Sequence, residues 1–205
     1  MRILFGVGNH GKKYSLNRHN AGYILLDYFA EKHSLTFKPS KFDFYYASGD
    51  LSDSSYLLVK PTTYVNSCGI AAMQVIKKFE VNIKDFLVVY DDFNLKLSTL
   101  RIRLSGGDSG HNGLSSIIYH LNSDQFPRLR IGIGDSFKVG EMADYVLANF
   151  KKAEQKILLE TYKSGVILLE EFLLGGINKM LDAHSRLSQQ DSETKKDISN
   201  QSKEI

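Results

Sequence analysis

Short apolar runs alternate along the chain with segments whose apolar residues recur at helical spacing. Residues 2–7 are an apolar run that ends in a glycine-rich turn, which predicts a buried first strand. Residues 20–32 carry apolar positions three and four apart, which predicts a helix. Residues 86–90, FLVVY, are β-branched and aromatic, which is typical of a central strand.

The same patterns continue through the rest of the chain, and strands alternate with helices. This order predicts an α/β fold: a single domain with a mixed, mostly parallel, twisted sheet flanked by helices. The last predicted helix is expected to be interrupted near Gly165 and at Gly175 and Gly176. The further predicted strands span 42–51, 55–59, 99–104 and 128–133, and the further helices span 70–79, 114–121 and 152–181.

The end of the chain has a different composition. Residues 186–205 contain three apolar residues, with four basic residues balancing four acidic ones. Such a segment buries too little apolar surface to order itself. We therefore predict a catalytic or binding domain over residues 1–185 and a disordered polar tail over residues 186–205.

Charge and cysteine content narrow the class of protein only modestly. The formal net charge is +3, which permits an anionic partner without requiring one. The single cysteine, Cys68, cannot form an internal disulfide, which suits a reducing compartment. The sequence shows no signal peptide and no apolar run of about 18 residues. We expect a cytoplasmic protein without membrane contact.

The first loop contains the spacing of a dinucleotide-binding turn. Gly6, Gly8 and Gly11 form G-x-G-x-x-G after the first strand. The stretch KKYSLNRH then separates the turn from the helix, and Glu31, at the distance of the expected acidic residue, lies inside that helix. A tight turn at the ligand-binding edge of the sheet is the favoured interpretation, and a nucleotide-dependent oxidoreductase is a minor alternative.

A histidine and an aspartate are candidates for proton transfer. His19 lies in the motif RHNAG just before the first helix, where Asn17 or Asn20 could act as N-cap. Asp91 follows the predicted central strand, at the edge where α/β proteins bind ligands. A carboxylate beside an imidazole fixes its tautomer and stabilises its protonated form. Capping and turn formation would explain both residues equally well from the sequence alone.

Three asparagines lie in predicted strand-to-helix loops: Asn9, Asn66 and Asn112. Amide side chains offer uncharged donors and acceptors, which suit a peptide backbone or an ester carbonyl. The alternative is ordinary turn chemistry, because asparagine is common in such loops.

Arginines alternate with apolar residues in two predicted strands, TLRIRL and RLRIGI. Strand periodicity places each arginine pair on one face. Two such strands without acidic residues favour phosphate recognition over a merely solvated face. The arginines are Arg101, Arg103, Arg128 and Arg130.

Two other chemistries have weaker support. His19, His111 and Asp91 could ligate a metal, but no H-x-x-x-H or C-x-x-C spacing supports a metal site. Cys68 could be a nucleophile, although its apolar neighbours favour a buried structural role.

Five motifs in order resemble one family. GVGNHGKKYSLNRHNAG, KPTTYVNSCG, VVYDDFNL, GGDSGHNGL and RLRIGIG together resemble the bacterial-type peptidyl-tRNA hydrolases, over about residues 2–184. The resemblance implies a monomeric phosphorylase/hydrolase-like α/β fold without metal or cofactor. It also implies hydrolysis of the ester that joins a peptide to the terminal ribose of tRNA. A scaffold of this family that has lost catalysis and only binds RNA is the alternative.

The resemblance also implies roles for individual residues. His19 would be the general base that activates water, and Asp91 would orient it. Residues 135–150 would form a flexible cover over the crevice. Substrate binding and positioning would fall to Asn9, Tyr14, Asn66, His111 and Asn112, and tRNA contact to Arg101, Arg103 and Arg130. From their places in the same motifs we add Asn20 and Tyr64 to the substrate residues and Arg128 to the tRNA contacts.

The chain departs from the family pattern at three positions. His10 stands where the family usually has proline, which should loosen the first loop. Val65 replaces a longer methionine, so we expect a roomier pocket on the peptide side. Asn94 replaces a common acidic residue. None of these changes removes a proposed catalytic group.

Overall fold

The computed structural model describes the backbone of residues 1–201 and the side chains of residues 1–189. Its strands and helices follow the predicted alternation closely. The strands are β1 (Arg2–Gly6), β2 (Lys38–Pro39), β3 (Phe44–Leu51), β4 (Ser54–Pro61), β5 (Phe86–Asp92), β6 (Leu100–Arg103) and β7 (Arg128–Gly132). The helices are α1 (Ala21–Lys32), α2 (Gly69–Phe79), α3 (Asn112–Leu121), α4 (Met142–Leu147) and α5 (Lys152–Gln201).

The seven strands form one mixed sheet in the order β2-β3-β4-β1-β5-β7-β6. The four central strands β4, β1, β5 and β7 run parallel, whereas β2, β3 and β6 pair antiparallel towards the edges. The predicted α/β fold with a mixed sheet is therefore confirmed. Because the central strands are parallel, their carboxyl ends meet at one edge of the sheet.

Both faces of the sheet are covered by helices. Strand periodicity sends Leu4 into a core with α1 and α5, and Ile3 and Phe5 into a second core with α2 and α3. Strand β5 lies at the centre, and all seven of its residues are buried. Burial on both faces explains why FLVVY is apolar throughout instead of alternating.

Two glycine predictions have different outcomes. The interruption predicted near Gly165 is wrong: Gly165 is helical, and a Cβ there would lie 2.9 Å from the Leu25 side chain of α1. The absence of a side chain at Gly165 therefore lets the two helices approach closely. The predicted break at Gly175 and Gly176 is present, since Gly176 has φ of 70° and both residues leave helical geometry. Short elements β2 and α4 were not predicted.

The predicted tail over residues 186–205 falls largely outside the described side chains. Its first residues continue α5: Leu187 packs against the core, and the Ser188 hydroxyl donates to the carbonyl of His184. Residues 202–205 lie outside the described residues. The disordered tail stays a prediction. Within the part of the chain that is described, no helix is both long and apolar enough to span a membrane.

Candidate active site

The carboxyl ends of β1, β5 and β7 form the floor of the candidate site, and two connections bring polar side chains onto it. A 3-10 turn, Arg18–Asn20, precedes α1, and His111 caps the start of α3. The side chains that these connections carry, His19 and His111, both contact Asp91 at the end of β5. The carboxylate of Asp91 is fully buried. The fold therefore unites His19, Asp91 and His111, which are far apart in sequence.

His19 contacts both oxygens of the Asp91 carboxylate. Its Nδ1 lies 3.0 Å from Oδ1 and 3.0 Å from Oδ2. The His19 side chain keeps 12 % of its surface exposed, so the ring bridges the buried carboxylate and the open crevice. The contact that the sequence could only suggest is present in the structure.

His111 approaches the same carboxylate from the other side and fixes the proton arrangement. Its Nδ1 accepts a hydrogen bond from the backbone N–H of Leu114 at 3.2 Å. A neutral His111 must therefore carry its proton on Nε2, which lies 3.1 Å from Asp91 Oδ1 and donates to it. The rings of His111 and His19 have centroids 4.9 Å apart.

This arrangement leaves one nitrogen of His19 free to act. The ionised carboxylate of Asp91 accepts from His111 and from His19, so Nδ1 of His19 carries a proton. Nε2 of the neutral ring then holds a lone pair, and it has no hydrogen-bond partner among the described residues. A general base with its tautomer set by a carboxylate has this form.

The pairing of His19 with Asp91 shifts the pKa values of the two residues in opposite directions. Burial by itself would lower the pKa of His19, but attraction and hydrogen bonding to Asp91 outweigh it and raise the pKa above 6.5. Burial by itself would raise the pKa of Asp91, yet the two imidazoles hold it well below its usual value. Asp91 is therefore ionised at neutral pH, although it is inaccessible to water.

The same three residues were the sequence-based alternative for a metal site, and their ligating atoms lie within 4.8 Å of one another. The hydrogen bond from Leu114 to His111 Nδ1 argues against that use. A neutral His111 that accepts at Nδ1 is protonated at Nε2 and offers no lone pair to a cation. The donor set fits a carboxylate shared by two imidazole donors better than it fits a metal centre.

Asn9 and Asn20 form a buried pair beside the histidine. The backbone N–H of Asn9 donates to Oδ1 of Asn20 at 2.9 Å, and Nδ2 of Asn20 donates to the Asn9 carbonyl at 3.0 Å. Oδ1 of Asn9 accepts from Val65 N–H at 3.0 Å, which leaves Asn9 Nδ2 without a partner among the described residues. Asn17 and Asn20 occupy the N-cap positions of the turn Arg18–Asn20 and of α1, as the sequence suggested, but neither side chain makes a capping hydrogen bond.

Four other predicted substrate residues are exposed or half-buried: Asn66, Asn112, Tyr64 and Tyr14. Asn66 lies in the 3-10 turn Val65–Ser67, and Asn112 is the first residue of α3; both side chains are exposed. The start of α2, which follows this turn, is tied to α3 because the Gly69 N–H donates to the Ser116 hydroxyl at 3.0 Å. Tyr64 is exposed and Tyr14 half-buried. Among the described residues, none of these four side chains forms a hydrogen bond or a ring contact with His19.

His10 lies between two open clefts next to Asn9. Its ring packs on Tyr45 at a centroid distance of 5.3 Å. One cleft, of about 390 Å³, extends past Asn9 and Asn20 to Lys60, and the other, of about 410 Å³, extends along Thr62 to Ser67. Although proline is absent at this position, the neighbouring Asn9 is held by three hydrogen bonds.

The four arginines of the predicted phosphate-binding face divide into two kinds. Antiparallel pairing of β6 and β7 places Arg101 opposite Arg130 and Arg103 opposite Arg128, and the two β6 arginines are exposed. Arg130 forms an ion pair with Asp92. Arg128 requires a correction: it is 2 % exposed and donates to the backbone carbonyls of the loop before α3, so its position does not suit contact with a surface ligand.

Two further sequence alternatives fail on packing. The Cys68 thiol is fully buried, and burial raises its pKa, so it cannot serve as a thiolate nucleophile. At Gly8, a Cβ would lie 2.7 Å from the Tyr23 ring of α1, and at Gly6 one would lie 3.0 Å from the Gly22 carbonyl. These glycines allow β1 to pack against α1, which accounts for the G-x-G spacing without a nucleotide.

Comparison with known proteins shows the family of the chain. The family model for peptidyl-tRNA hydrolase matches residues 3–195. The chain belongs to this family. It is 40 % identical over 177 residues to the peptidyl-tRNA hydrolase of Alkaliphilus oremlandii, covering 86 % of this chain and 95 % of that protein. It is 39 % identical over 186 residues to that of Carboxydothermus hydrogenoformans, covering 91 % and 99 %.

Solved structures of the peptidyl-tRNA hydrolase family have the same fold. The crystal structure of the Acinetobacter baumannii enzyme superposes with a TM-score of 0.79 at 26 % identity, covering 92 % of this chain and 91 % of that one. A peptidyl-tRNA hydrolase crystallised with n-propanol gives 0.83 at 27 % identity, covering 89 % and 92 %. The resemblance inferred from the five motifs is thereby confirmed.

The sequence reasoning assigned no buried role to Arg18, the residue before the histidine. Arg18 is 3 % exposed, and its guanidinium pairs with Glu154, 136 positions away in the chain. The only sequence signal was its place inside RHNAG. A partner so distant cannot be inferred from local periodicity.

Proposed function

We propose that the chain hydrolyses the ester bond between a peptide and the 3′-terminal ribose of tRNA, with His19 as general base and Asp91 as its orienting partner. Membership of the peptidyl-tRNA hydrolase family supports the reaction. The observation that carries the mechanism is the contact of His19 Nδ1 with both oxygens of a buried, ionised Asp91.

The reaction follows from the free nitrogen of His19. Nε2 takes a proton from water while the water oxygen forms a bond to the ester carbonyl carbon. The resulting imidazolium is stabilised by Asp91 at 3.0 Å. When the tetrahedral intermediate collapses, the carbon–oxygen bond to ribose breaks, and the ribose oxygen takes the proton from Nε2. The peptide leaves as a carboxylic acid, and tRNA is released with a free hydroxyl.

Amide donors stabilise the negative oxygen of the intermediate. We assign this role to the Nδ2 group of Asn9, because the other polar groups of Asn9 are bonded to Asn20 and Val65 whereas Nδ2 has no partner among the described residues. One rigid donor of this kind contributes about 10²–10³-fold to the rate. Asn66 and Asn112 are proposed to position the peptide and the water, and Tyr14 and Tyr64 to line the approach.

Exposed arginines on β6 give the proposed tRNA contact. Arg101 and Arg103 are free to reach phosphates, and Arg130 lies directly opposite Arg101. Arginine binds phosphate oxygens through its planar fork of donors. We also propose that residues 135–150 cover the crevice, and that the enzyme acts as a cytoplasmic monomer, which fits a single buried cysteine.

The decisive experiment measures release of tRNA from N-acetyl-aminoacyl-tRNA in the presence of EDTA. We expect turnover by the unaltered protein, and loss of turnover in His19→Ala with tRNA affinity nearly unchanged. His33→Ala is the matched control, since His33 lies at the far end of α1 and pairs with Glu170. An RNA-binding protein without activity would bind tRNA but show no turnover. Full activity in His19→Ala would refute the assignment of the base.

A further inference from the structure

The turn that carries His19 is held by buried side chains on both sides of the histidine. Asn20 pairs with the backbone of Asn9 on one side. Arg18, on the other side, is 3 % exposed and directs its guanidinium towards the segment that leads into α5. The bonds of these two neighbours add to the orientation that His19 itself obtains from its contact with Asp91.

The guanidinium of Arg18 uses its fork of donors on three partners at once. Nη1 donates to the carbonyls of Ala148 at 3.3 Å and Asn149 at 3.0 Å. Nη2 donates to both oxygens of Glu154, at 3.0 Å and 2.8 Å. A bidentate pair of this kind is directional as well as strong, so it fixes orientation in addition to neutralising a buried charge.

Aromatic rings and backbone bonds complete the same junction. The guanidinium carbon lies 4.3 Å from the centre of the Tyr145 ring and 5.4 Å from that of Phe150. The Arg18 N–H donates to the Ala148 carbonyl at 3.1 Å, and the Phe150 N–H donates to the Leu16 carbonyl at 3.0 Å. The Tyr145 hydroxyl donates to the Ile133 carbonyl at 2.7 Å, just beyond the end of β7.

We propose that Arg18 is a positioning residue for the reaction: it locks the turn that carries His19 to residues 145–154 and thereby sets the orientation of the base. Arg18 contacts neither the substrate nor the reacting atoms in this role. It acts through His19, whose ring must keep Nδ1 on Asp91 and Nε2 towards the water. It also places the C-terminal end of segment 135–150 at a fixed distance from the base. This inference rests on the proposed function.

Lysine is the informative replacement at this position. Arg18→Lys keeps the positive charge, but an ammonium group cannot donate to two carbonyls and to both oxygens of Glu154 in one plane. The turn should then sample a wider range of orientations. Misplacement of a reacting group by about 1 Å costs on the order of 100-fold in rate, so a looser anchor should lower kcat without greatly changing substrate binding.

The control is an arginine with comparable bonds far from the site. Arg2 donates to Asp85 at 3.0 Å and to the Leu173 carbonyl at 2.8 Å, and it ties β1 to α5. Arg2→Lys should lower the melting temperature as Arg18→Lys does, yet leave the kinetics of the folded protein unchanged. Comparing Arg18→Lys with Arg2→Lys therefore separates a loss of positioning from a loss of stability.

The assay is steady-state hydrolysis of N-acetyl-aminoacyl-tRNA at several pH values, well below both melting temperatures. For Arg18→Lys we expect kcat to fall about 10-fold or more with KM within about 3-fold. The acid limb of the pH profile should move to lower pH, because a looser His19–Asp91 contact raises the pKa of His19 less. His111, the other imidazole that donates to Asp91, is replaced in neither variant.

Other outcomes would overturn the inference. Unchanged kcat in Arg18→Lys, an effect confined to KM, or an equal loss in Arg2→Lys would each do so. If Arg18→Lys does not fold, Glu154→Gln weakens the same anchor, and kcat should still fall about 3-fold, with the same direction of pH shift. Absence of turnover in the unaltered protein would refute the proposed function instead, so the two failures are distinguishable.

Discussion

Replacing Asp91 by asparagine tests the central contact of the site. In the unaltered protein Asp91 accepts from His19 Nδ1 and His111 Nε2 at 3.0–3.1 Å. An asparagine of the same shape offers one oxygen and one NH₂ group. One imidazole must therefore face a donor instead of an acceptor. His111 is fixed by Leu114, so His19 is the ring whose tautomer changes, and its Nε2 becomes protonated.

The size of the effect follows from two losses. At 3.0 Å and an effective dielectric constant of about 20, the Coulomb attraction between a carboxylate and an imidazolium is about 5 kcal/mol. Loss of about 3 kcal/mol of this attraction in the transition state would already lower the rate on the order of 100-fold. The wrong tautomer lowers the rate further. We expect kcat to fall about 10³–10⁴-fold in total.

The assay is single-turnover hydrolysis of N-acetyl-aminoacyl-tRNA, with tRNA affinity and thermal unfolding measured in parallel. The fold should survive, since the replacement removes a buried charge while keeping its volume. Asp92→Asn is the matched control, because Asp92 adjoins Asp91 but pairs with Arg130 instead. We expect that control to change kcat by less than about 3-fold. If Asp91→Asn kept an activity within 10-fold of the unaltered protein, the contact with Asp91 would not be what makes His19 effective as the general base.

Two further predictions concern tRNA contact and pH. Replacing Arg101 and Arg103 together by alanine should raise KM with little change in kcat. KM should also become less sensitive to salt, because each phosphate contact contributes to the salt dependence of binding. Measuring KM at increasing KCl concentrations checks this, and an unchanged slope of KM against salt would contradict it. The value of kcat/KM should rise with pH through a midpoint above 6.5, since His19 must be neutral to act and its pKa is raised. The pairing of protonated His19 with Asp91 also stabilises the fold. This stabilisation is complete below about pH 6.5 and is lost as the pH rises through the pKa of His19 in the folded protein. A pH–rate profile with its midpoint at or below 6.5 would argue against the raised pKa.

Much of the fold was predictable because its signals are local. The run FLVVY is apolar throughout since β5 is buried on both faces, and the helical repeats before Lys32 and Phe79 follow from one-sided burial. Gly165 shows the limit of such signals. A glycine in a helical pattern predicts a break, but the Leu25 side chain of α1 packs where a Cβ would be. That packing partner is distant in sequence and invisible to periodicity.

The site was predictable only in part, for the same reason. His19 and Asp91 were recognisable as candidates from their places beside a helix and a strand, whereas their contact depends on the packing of α1 against β5. Asn20 has the residue type and position of a helix cap, but its amide is drawn to the Asn9 backbone. Local rules identify what a side chain can do, and the tertiary partners decide which of those bonds it makes.

The arginine pattern shows how an alternating sequence can produce two different roles on one sheet face. Pairing of β6 with β7 places Arg101 opposite Arg130 and Arg103 opposite Arg128, and like charges directly opposite each other destabilise a sheet. Each β7 arginine has a partner of its own that offsets this repulsion. Arg130 pairs with Asp92, and Arg128 turns inward to backbone carbonyls.

The outer arginines have no such partner among the described residues, and both remain exposed. A phosphate bound by Arg101 would give this arginine the negative partner that Arg130, directly opposite it, already has in Asp92. The consecutive carboxylates at the end of β5 thus serve different purposes. In the proposed mechanism Asp91 orients the base, whereas Asp92 pairs with Arg130 at the edge of the surface proposed to bind tRNA.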